Sequence, residues 1–283
     1  MKQSKAFAPA NISCIFKIHE NNDPRWAGSY GLGFTLDEGV IVSAKKSKKT
    51  VILFNKKKIN FPAVEYAIKN LTGKDLTIDI STKLPLGCGF GLSGASALAA
   101  SYAINELFDL ERSQKNLAVI AHTADSASKT GLGDVVNQYY GGCCLKLKPS
   151  SYFEIVRIRL DTNQVHCRHF SGIDTKSIIT NDRTIEKINK AATTALSQLK
   201  AMSLREKIIK LEDIISISKE FSVMSGLLRD KKVMSALNKI ERNNAKGSMI
   251  MLGNSVFCNK PFEGSNSYMI SNSGAYMIDK QIK

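Results

Sequence analysis

The residue types best suited to chemistry lie in one short stretch, Pro85-Leu-Gly-Cys-Gly-Phe-Gly-Leu-Ser-Gly-Ala-Ser-Ala-Leu-Ala-Ala100, where four glycines fall within eight residues. Glycine has no Cβ, so its backbone N–H groups can close around phosphate oxygens, and a helix starting at the end of the loop adds its dipole. A tight turn before a buried alanine-rich helix would use similar residues, but four glycines opening directly into a helix favour phosphate. Gly89-x-Gly91-x-x-Gly94 also has the form of a dinucleotide fingerprint, with Asp109 20 residues beyond Gly89. That motif needs its glycines directly after the first strand of a βαβ unit. Here Lys83, Leu84 and Pro85 intervene and five strand-like segments come earlier, so a dehydrogenase is rejected. No Gly-Lys-Ser/Thr follows the glycines, so a P-loop is absent as well.

A second group of candidates lies downstream. Asp134 ends Thr130-Gly-Leu-Gly-Asp, Asp125 precedes it by nine residues, and His122 stands three residues before Asp125, within reach of one helix face. His166 and His169 flank Cys167 without further ligands nearby, so no metal site is expected there. None of the six cysteines forms a C-x-x-C pair, which points to a reduced, cytoplasmic protein.

These residues need elements to hold them. Ile12–Phe16, Phe34–Leu36, Val40–Ser43, Val51–Phe54 and Leu76–Ile80 read as short strands, rich in β-branched or aromatic residues and separated by turn formers. Leu98–Leu110 and Leu117–Ser128 read as helices. Val135–Tyr140 leads through Gly141-Gly142 into a strand, Cys143–Leu147, and Pro149-Ser150-Ser151 reads as a boundary. Beyond it, Glu154–Leu160 and Val165–Phe170 read as strands, Thr184–Asn244 is largely helical, and a Gly- and Ser-containing segment follows Gly247.

The composition sets the frame. With 283 residues, 43% hydrophobic and 23% charged, the chain is long enough for a full core and is not disordered. Leu84–Asn105 carries no charge over 22 residues, but its glycines and Pro85 would leave backbone groups unpaired in lipid, so no membrane span is expected. The N-terminus shows no signal peptide. The net charge of +15 lies largely in solvated runs such as Lys45-Lys46, Lys48-Lys49 and Lys56-Lys57-Lys58. No aromatic RNA-binding motif or zinc-finger spacing accompanies it, so nucleic acid is not the expected partner; a basic exterior around a site for small anions is.

The glycine loop matches a third pattern, Pro-x-x-x-Gly-Leu-Gly-Ser-Ser-Ala, and with it the chain resembles the GHMP kinase superfamily over nearly its whole length. Gly89-Phe-Gly-Leu-Ser-Gly-Ala95, Thr130-Gly-Leu-Gly-Asp-Val-Val-Asn-Gln138 and Ser248-Met-Ile-Met-Leu-Gly-Asn-Ser-Val-Phe257 carry the match, most closely to archaeal pantoate kinases. The resemblance implies an α+β, two-domain fold: a ribosomal-protein-S5-like N-terminal domain over 1–150 and a helix-rich α/β C-terminal domain over 151–283. It implies ATP bound by Gly87, Gly89, Gly91, Leu92, Ser93, Gly94 and Ala95, Mg²⁺ held by Ser93 and Asp125, and Asp134 handling the proton of the attacking hydroxyl. It places Asn11, Ser29, Tyr30, His122, Lys146 and Gly253 on the side of a small anionic hydroxy acid, and a homodimer is compatible with it.

Four departures stand out. The family's Pro-Gly-His is Pro9-Ala10-Asn11, its Gly-Ser-Arg-Gly is Gly28-Ser29-Tyr30-Gly31, its metal-binding Glu is Asp125, and an expected strand arginine is Lys146. Arginine grips a carboxylate with a rigid fork and lysine does not, so the acceptor half is altered while the donor half is kept. The lead acceptor is therefore mevalonate 3-phosphate, phosphorylated at its 5-hydroxyl in an archaeal mevalonate (isoprenoid) pathway. Pantoate, for coenzyme A biosynthesis, is the alternative. A non-catalytic GHMP-like binding protein is the alternative of another class, favoured by Asn11 and the shorter Asp125 and opposed by Ser93 and Asp134.

Overall fold

The structure, a computed structural model, describes residues 2–278. Two long antiparallel strands, β1 (Gln3–His19) and β2 (Gly28–Lys46), form its spine. Along β1 the side chains of Ala6, Ala8, Ala10, Ile12 and Cys14 alternate into the core and are fully buried. The two strands read separately at Phe34–Leu36 and Val40–Ser43 are one strand: β2 runs on through Asp37 and Glu38, which bulge out of the pairing where the register with β1 shifts between Pro9 and Asn11, and a second shift falls at Ser13/Ile15. β3 (Val51–Phe54), β4 (Lys57–Lys58) and β5 (Leu76–Ser81) extend the sheet beyond β2 in the order β2-β5-β3-β4.

Helix α1 (Pro62–Leu71) went unread in the sequence, although Pro62 suits a helix start and Ala63, Val64, Ala67, Ile68 and Leu71 form its buried face. Helix α2 (Leu92–Phe108) begins six residues before the expected Leu98, so the glycine loop runs straight into it. The uncharged run 84–105 is thus loop and core helix, and no helix among the described residues is long and apolar enough to cross a membrane. Helices α3 (Gln114–Ala127) and α4 (Asp134–Tyr140) follow, then β6 (Cys143–Lys146), which pairs with β2.

Of the expected strand Glu154–Leu160 only β7 (Val156–Ile158) forms, on β6. The second sheet has the order β11-β8-β10-β9, from β8 (Gln164–Ser171), β9 (Gly247–Met249), β10 (Asn254–Cys258) and β11 (Asn266–Met269). Between β8 and β9 run the short α5 (Thr175–Ile179), then α6 (Asp182–Arg205), α7 (Leu211–Met224) and α8 (Lys231–Arg242). Asn181 and Asp230 cap the starts of α6 and α8 by accepting from backbone N–H groups, and the expected helical run divides after Arg205 and after Met224. Last, β12 (Tyr276–Met277) returns to pair with β1. The sequence boundary at 150/151 places β7 and β12 in the second unit, yet both pair within the first sheet.

One hydrophobic cluster joins both sheets. Phe34 of β2 meets Phe257 of β10 edge-on at 5.8 Å, and Phe16 of β1 meets Phe221 of α7 at the same distance. The lysine runs, by contrast, are exposed, and all six cysteines are buried and unpaired. Because Phe34 and Phe257 are both fully buried between the sheets, Phe257→Ala is expected to cost about 3–5 kcal/mol. Urea denaturation measures it, and a loss under about 1 kcal/mol would mean that the sheets do not share a core.

Candidate active site

A cavity of about 370 Å³ opens beside the glycine loop. Its outer end has a mixed lining: Ile59, Asn60, Phe61 and Pro62, leading into α1, contribute one wall and Ile173 to Lys176 another. The segment after β8 rests on the loop itself, since the Ile173 N–H donates to the Gly87 carbonyl at 3.1 Å. The inner end is formed by Ser13, Ile15 and Phe16 of β1, with Ser29, Asp134, Lys146, Met251 and Leu252.

Between the two ends lies the glycine loop. Gly91, at φ +63°, is the N-cap of α2, and no side chain caps that helix. Its first-turn N–H groups are left for an outside acceptor, beside the positive end of the dipole, which suits an anion. Ser93 donates to the Thr130 hydroxyl at 2.8 Å, and Thr130 in turn donates to Asp125 Oδ1 at 2.7 Å. Asp125 is 1% exposed and pairs with no Lys or Arg among the described residues. Burial, and then the Asp134 charge, push its pKa up to about 7, against the bonds from Thr130 and Ser93. A buried carboxyl without a counter-charge, next to two hydroxyls and an anion-binding helix start, fits Mg²⁺, which takes one or two protein oxygens and leaves its other positions to phosphate and water. The chain supplies no larger cage: among the described residues no three His, Cys, Asp or Glu side chains cluster.

Asp134 opens α4 directly after Gly133. Its Oδ1 accepts from Asn11 Nδ2 at 2.6 Å and from Ser13 Oγ at 2.9 Å. Asn11 Oδ1 accepts from Asn137 Nδ2 at 2.9 Å, which fixes the Asn11 amide. Lys146 reaches in from β6 and donates to the Gly133 carbonyl at 2.9 Å. Burial lowers the pKa of this ammonium, while the Asp134 carboxylate opposes the change.

The structure therefore brings Gly87, Gly89, Gly91, Leu92, Ser93, Ser29, Asp134 and Lys146 to one cavity. Gly94 and Ala95 lie behind it in α2, where Gly94 faces Val135 and Gln138 of α4. Four expected acceptor contacts lie elsewhere. Asn11 is fully buried and serves Asp134. Tyr30 stands edge-on to His19 with the Lys17 ammonium over its ring, off the cavity wall, because alternation along β2 turns it away from Ser29. His122 Nε2 donates to the Ala27 carbonyl at 2.9 Å, and burial pushes its pKa down to about 4, so the ring is a neutral structural group. Gly253 backs the glycine loop: a Cβ there would stand 2.1 Å from the Cys88 carbonyl oxygen.

Sequence reasoning missed Ser13, Thr130, Asn137 and the outer end of the cavity. Ser13 carried a signal, two residues from Asn11 on a strand and so on the same face. The outer end carried none, because Phe61 and Ile173 meet only in the fold.

A carboxylate set against an uncapped helix start, with a buried ammonium beside it, is the equipment of a phosphotransferase that acts on an alcohol group. Comparison with known proteins agrees. Residues 57–142 match the model of the GHMP kinases N terminal domain. The chain is 35% identical over 257 residues to the pantoate kinase of Methanocaldococcus jannaschii, covering 89% of this chain and 91% of that one. It is 31% identical over 261 residues to the pantoate kinase of Methanospirillum hungatei, covering 89% and 86%. A solved structure described as a phosphotransferase related to the CoA biosynthesis pathway superposes with a TM-score of 0.84, at 22% identity and over 100% of both chains. The chain belongs to the GHMP kinases.

The two buried titrating groups pull stability in opposite directions. His122 is held neutral below its ordinary 6.5, so its contribution is present above pH 6.5 and is lost as pH falls toward 4. Asp125 is held protonated above its ordinary 3.8, so its contribution is present below that value and is lost as pH rises through about 7. Asp125→Asn keeps the shape and removes the charge. In metal-free protein at pH 8 it should be more stable than the natural chain, by an amount on the order of 3 kcal/mol. Urea midpoints at pH 5 and pH 8 check this; equal midpoints at pH 8 would contradict it.

Proposed function

We propose that this chain transfers the γ-phosphoryl group of ATP to the primary hydroxyl of pantoate. The observation that carries the reading is Lys146. The residue is 3% exposed, and its ammonium group has the Gly133 carbonyl as its one protein acceptor among the described residues. A buried ammonium with spare donors on a cavity wall suits a single anionic group, and a carboxylate supplies it. Ile15, Phe16, Met251 and Leu252 at the same end suit the dimethyl-substituted carbon of pantoate. The names of the two archaeal relatives support the same acceptor.

Mevalonate 3-phosphate, the lead from sequence alone, would bring a phosphate as well as a carboxylate. The cavity's other lysines, Lys129 and Lys176, lie on segments that touch the glycine loop, one next to Thr130 and the other near Ile173. That neighbourhood suits them to the donor's phosphates in this reading and leaves Lys146 for the acceptor. The exchange at Tyr30, which had counted toward an altered acceptor, loses its weight because that ring is off the cavity.

In this reading the first-turn N–H groups of α2 bind phosphate oxygens, and Ser93 and Asp125 hold Mg²⁺. When bound, the metal supplies charge neutralisation at the β- and γ-phosphates. Asp134 Oδ1 is committed to Asn11 and Ser13, so Oδ2 is the oxygen free to take the acceptor's proton. The hydroxyl oxygen bonds to the γ-phosphorus, the bond from that phosphorus to the bridging oxygen of ADP breaks, and the hydroxyl proton passes to Oδ2. Asn11 stands where the resemblance expects a basic residue. As a neutral donor it orients Asp134 without pairing its charge.

Turnover of ATP with pantoate, mevalonate and mevalonate 3-phosphate tests the acceptor. We expect kcat/KM for pantoate to exceed that for mevalonate 3-phosphate by roughly tenfold or more; a ratio below one restores the phosphorylated acceptor. Lys146→Met should raise KM for pantoate more than it lowers kcat, as for a contact equally strong in ground and transition states. Asp134→Asn should still bind ATP while transfer falls roughly 10²-fold or more. Natural turnover in that variant would return Asp134 to a helix-cap role.

A further inference from the structure

We propose that Gln138 is a positioning residue for phosphoryl transfer, locking the glycine loop to the helix that carries Asp134 through one hydrogen bond to the Gly91 carbonyl. The inference rests on the reading of that loop as a phosphate cradle and of Asp134 as the proton acceptor.

Asp134 and Gln138 are four residues apart on α4 and share a face. Both press on Gly91, where a Cβ would stand 3.0 Å from Gln138 Nε2 and 3.1 Å from Asp134 Cγ. Gln138 Nε2 donates to the Gly91 carbonyl at 2.8 Å, and that same oxygen accepts the Ala95 N–H at 3.1 Å. Gly91 is the left-handed residue at which the loop turns into α2, so the tilt of its peptide directs the N–H groups that follow. The other side of Gln138 is also held, because its own carbonyl accepts the Ala275 N–H of the returning C-terminal segment at 2.8 Å. The amide is thus a strut of fixed length between the helix of the proton acceptor and the phosphate cradle.

Packing alone does not explain an amide at this position. Gln138 is fully buried, and its Oε1 has no hydrogen-bond partner among the described residues. An orphaned buried oxygen costs stability, and an apolar side chain of similar shape would avoid it. Gly91 would still be satisfied by Ala95. What an apolar residue would lose is the bond that sets the distance between cradle and carboxylate. A misplacement of about 1 Å in a transfer site can cost about 10²-fold in rate.

The test compares Gln138→Met, Asp134→Asn and the double variant, using the acceptor with the highest kcat/KM among pantoate, mevalonate and mevalonate 3-phosphate. Gln138→Met should lower kcat by roughly 10- to 100-fold and leave KM for ATP within about threefold. Its Tm should be equal to or above that of the natural chain, a direction that a merely structural role would reverse. The double variant should turn over at about the rate of Asp134→Asn alone, because the strut acts only through that alignment. Natural kcat in Gln138→Met, a Tm that falls together with kcat, or additive losses in the double variant would each overturn the inference. If the Met variant cannot be purified, Gln138→Asn, one methylene too short to reach Gly91, carries the same comparison. Full turnover in Asp134→Asn overturns the reading of the site instead, while kcat of Gln138→Met still decides whether the bond to Gly91 matters to transfer.

Discussion

Everything at this site depends on how closely α4 approaches the start of α2. The approach is possible because Gly91 and Gly94 carry no side chain on the face that meets α4. It sets Asp134 beside N–H groups that no side chain caps, so a carboxylate and an anion-binding helix start share one wall. Two sources of negative charge, a phosphate and a carboxylate, would then stand close together in a partly desolvated cavity. Lys146, buried against Gly133, and the cavity's other lysines, Lys129 and Lys176, are the cations at hand to offset them.

Strand β1 links this arrangement to the rest of the protein. Its alternate side chains build the core of the first sheet, while Asn11 and Ser13 hold Asp134 and Ile15 and Phe16 line the cavity. The register shifts at Pro9/Asn11 and Ser13/Ile15 fall where the strand changes from core to site, as bulges near functional residues often do. A cost accompanies the design. Asp125 is buried without a counter-charge and Gln138 has an unpartnered oxygen, and both groups lie against the glycine loop and the first turn of α2. Local instability of this kind concentrates where function requires it.

Much of the architecture was legible because it rests on local rules. Glycine density before an alanine-rich run marked the loop, and period-two or helical patterns marked most strands and helices. Helix α1 was overlooked inside a region read as strands, and β2 was split at Asp37-Glu38-Gly39, where the turn formers make a bulge in the pairing with β1 and do not end the strand. The glycine-loop side of the cavity was legible for the same reason: Gly87 to Ser93 are contiguous. The side facing it was not, because it is assembled from β1, β2, β6 and the loop after β9.

The chain by itself thus determined the glycine-rich loop that opens α2 and the family resemblance, and it singled out Ser93, Asp125 and Asp134 as candidates, since each sits in a short motif whose spacing has a physical meaning. Only the tertiary structure decided which of the substituted residues line the cavity. Tyr30 and Lys146 looked equivalent in sequence, each a replaced arginine, yet one stacks on His19 away from the cavity and the other is buried on its wall. Asn11 looked like a weakened catalytic residue and is instead a donor to Asp134. The reason is that a side chain's partner across the fold depends on strand register and helix approach, which are properties of the whole packed molecule and are written in no single segment.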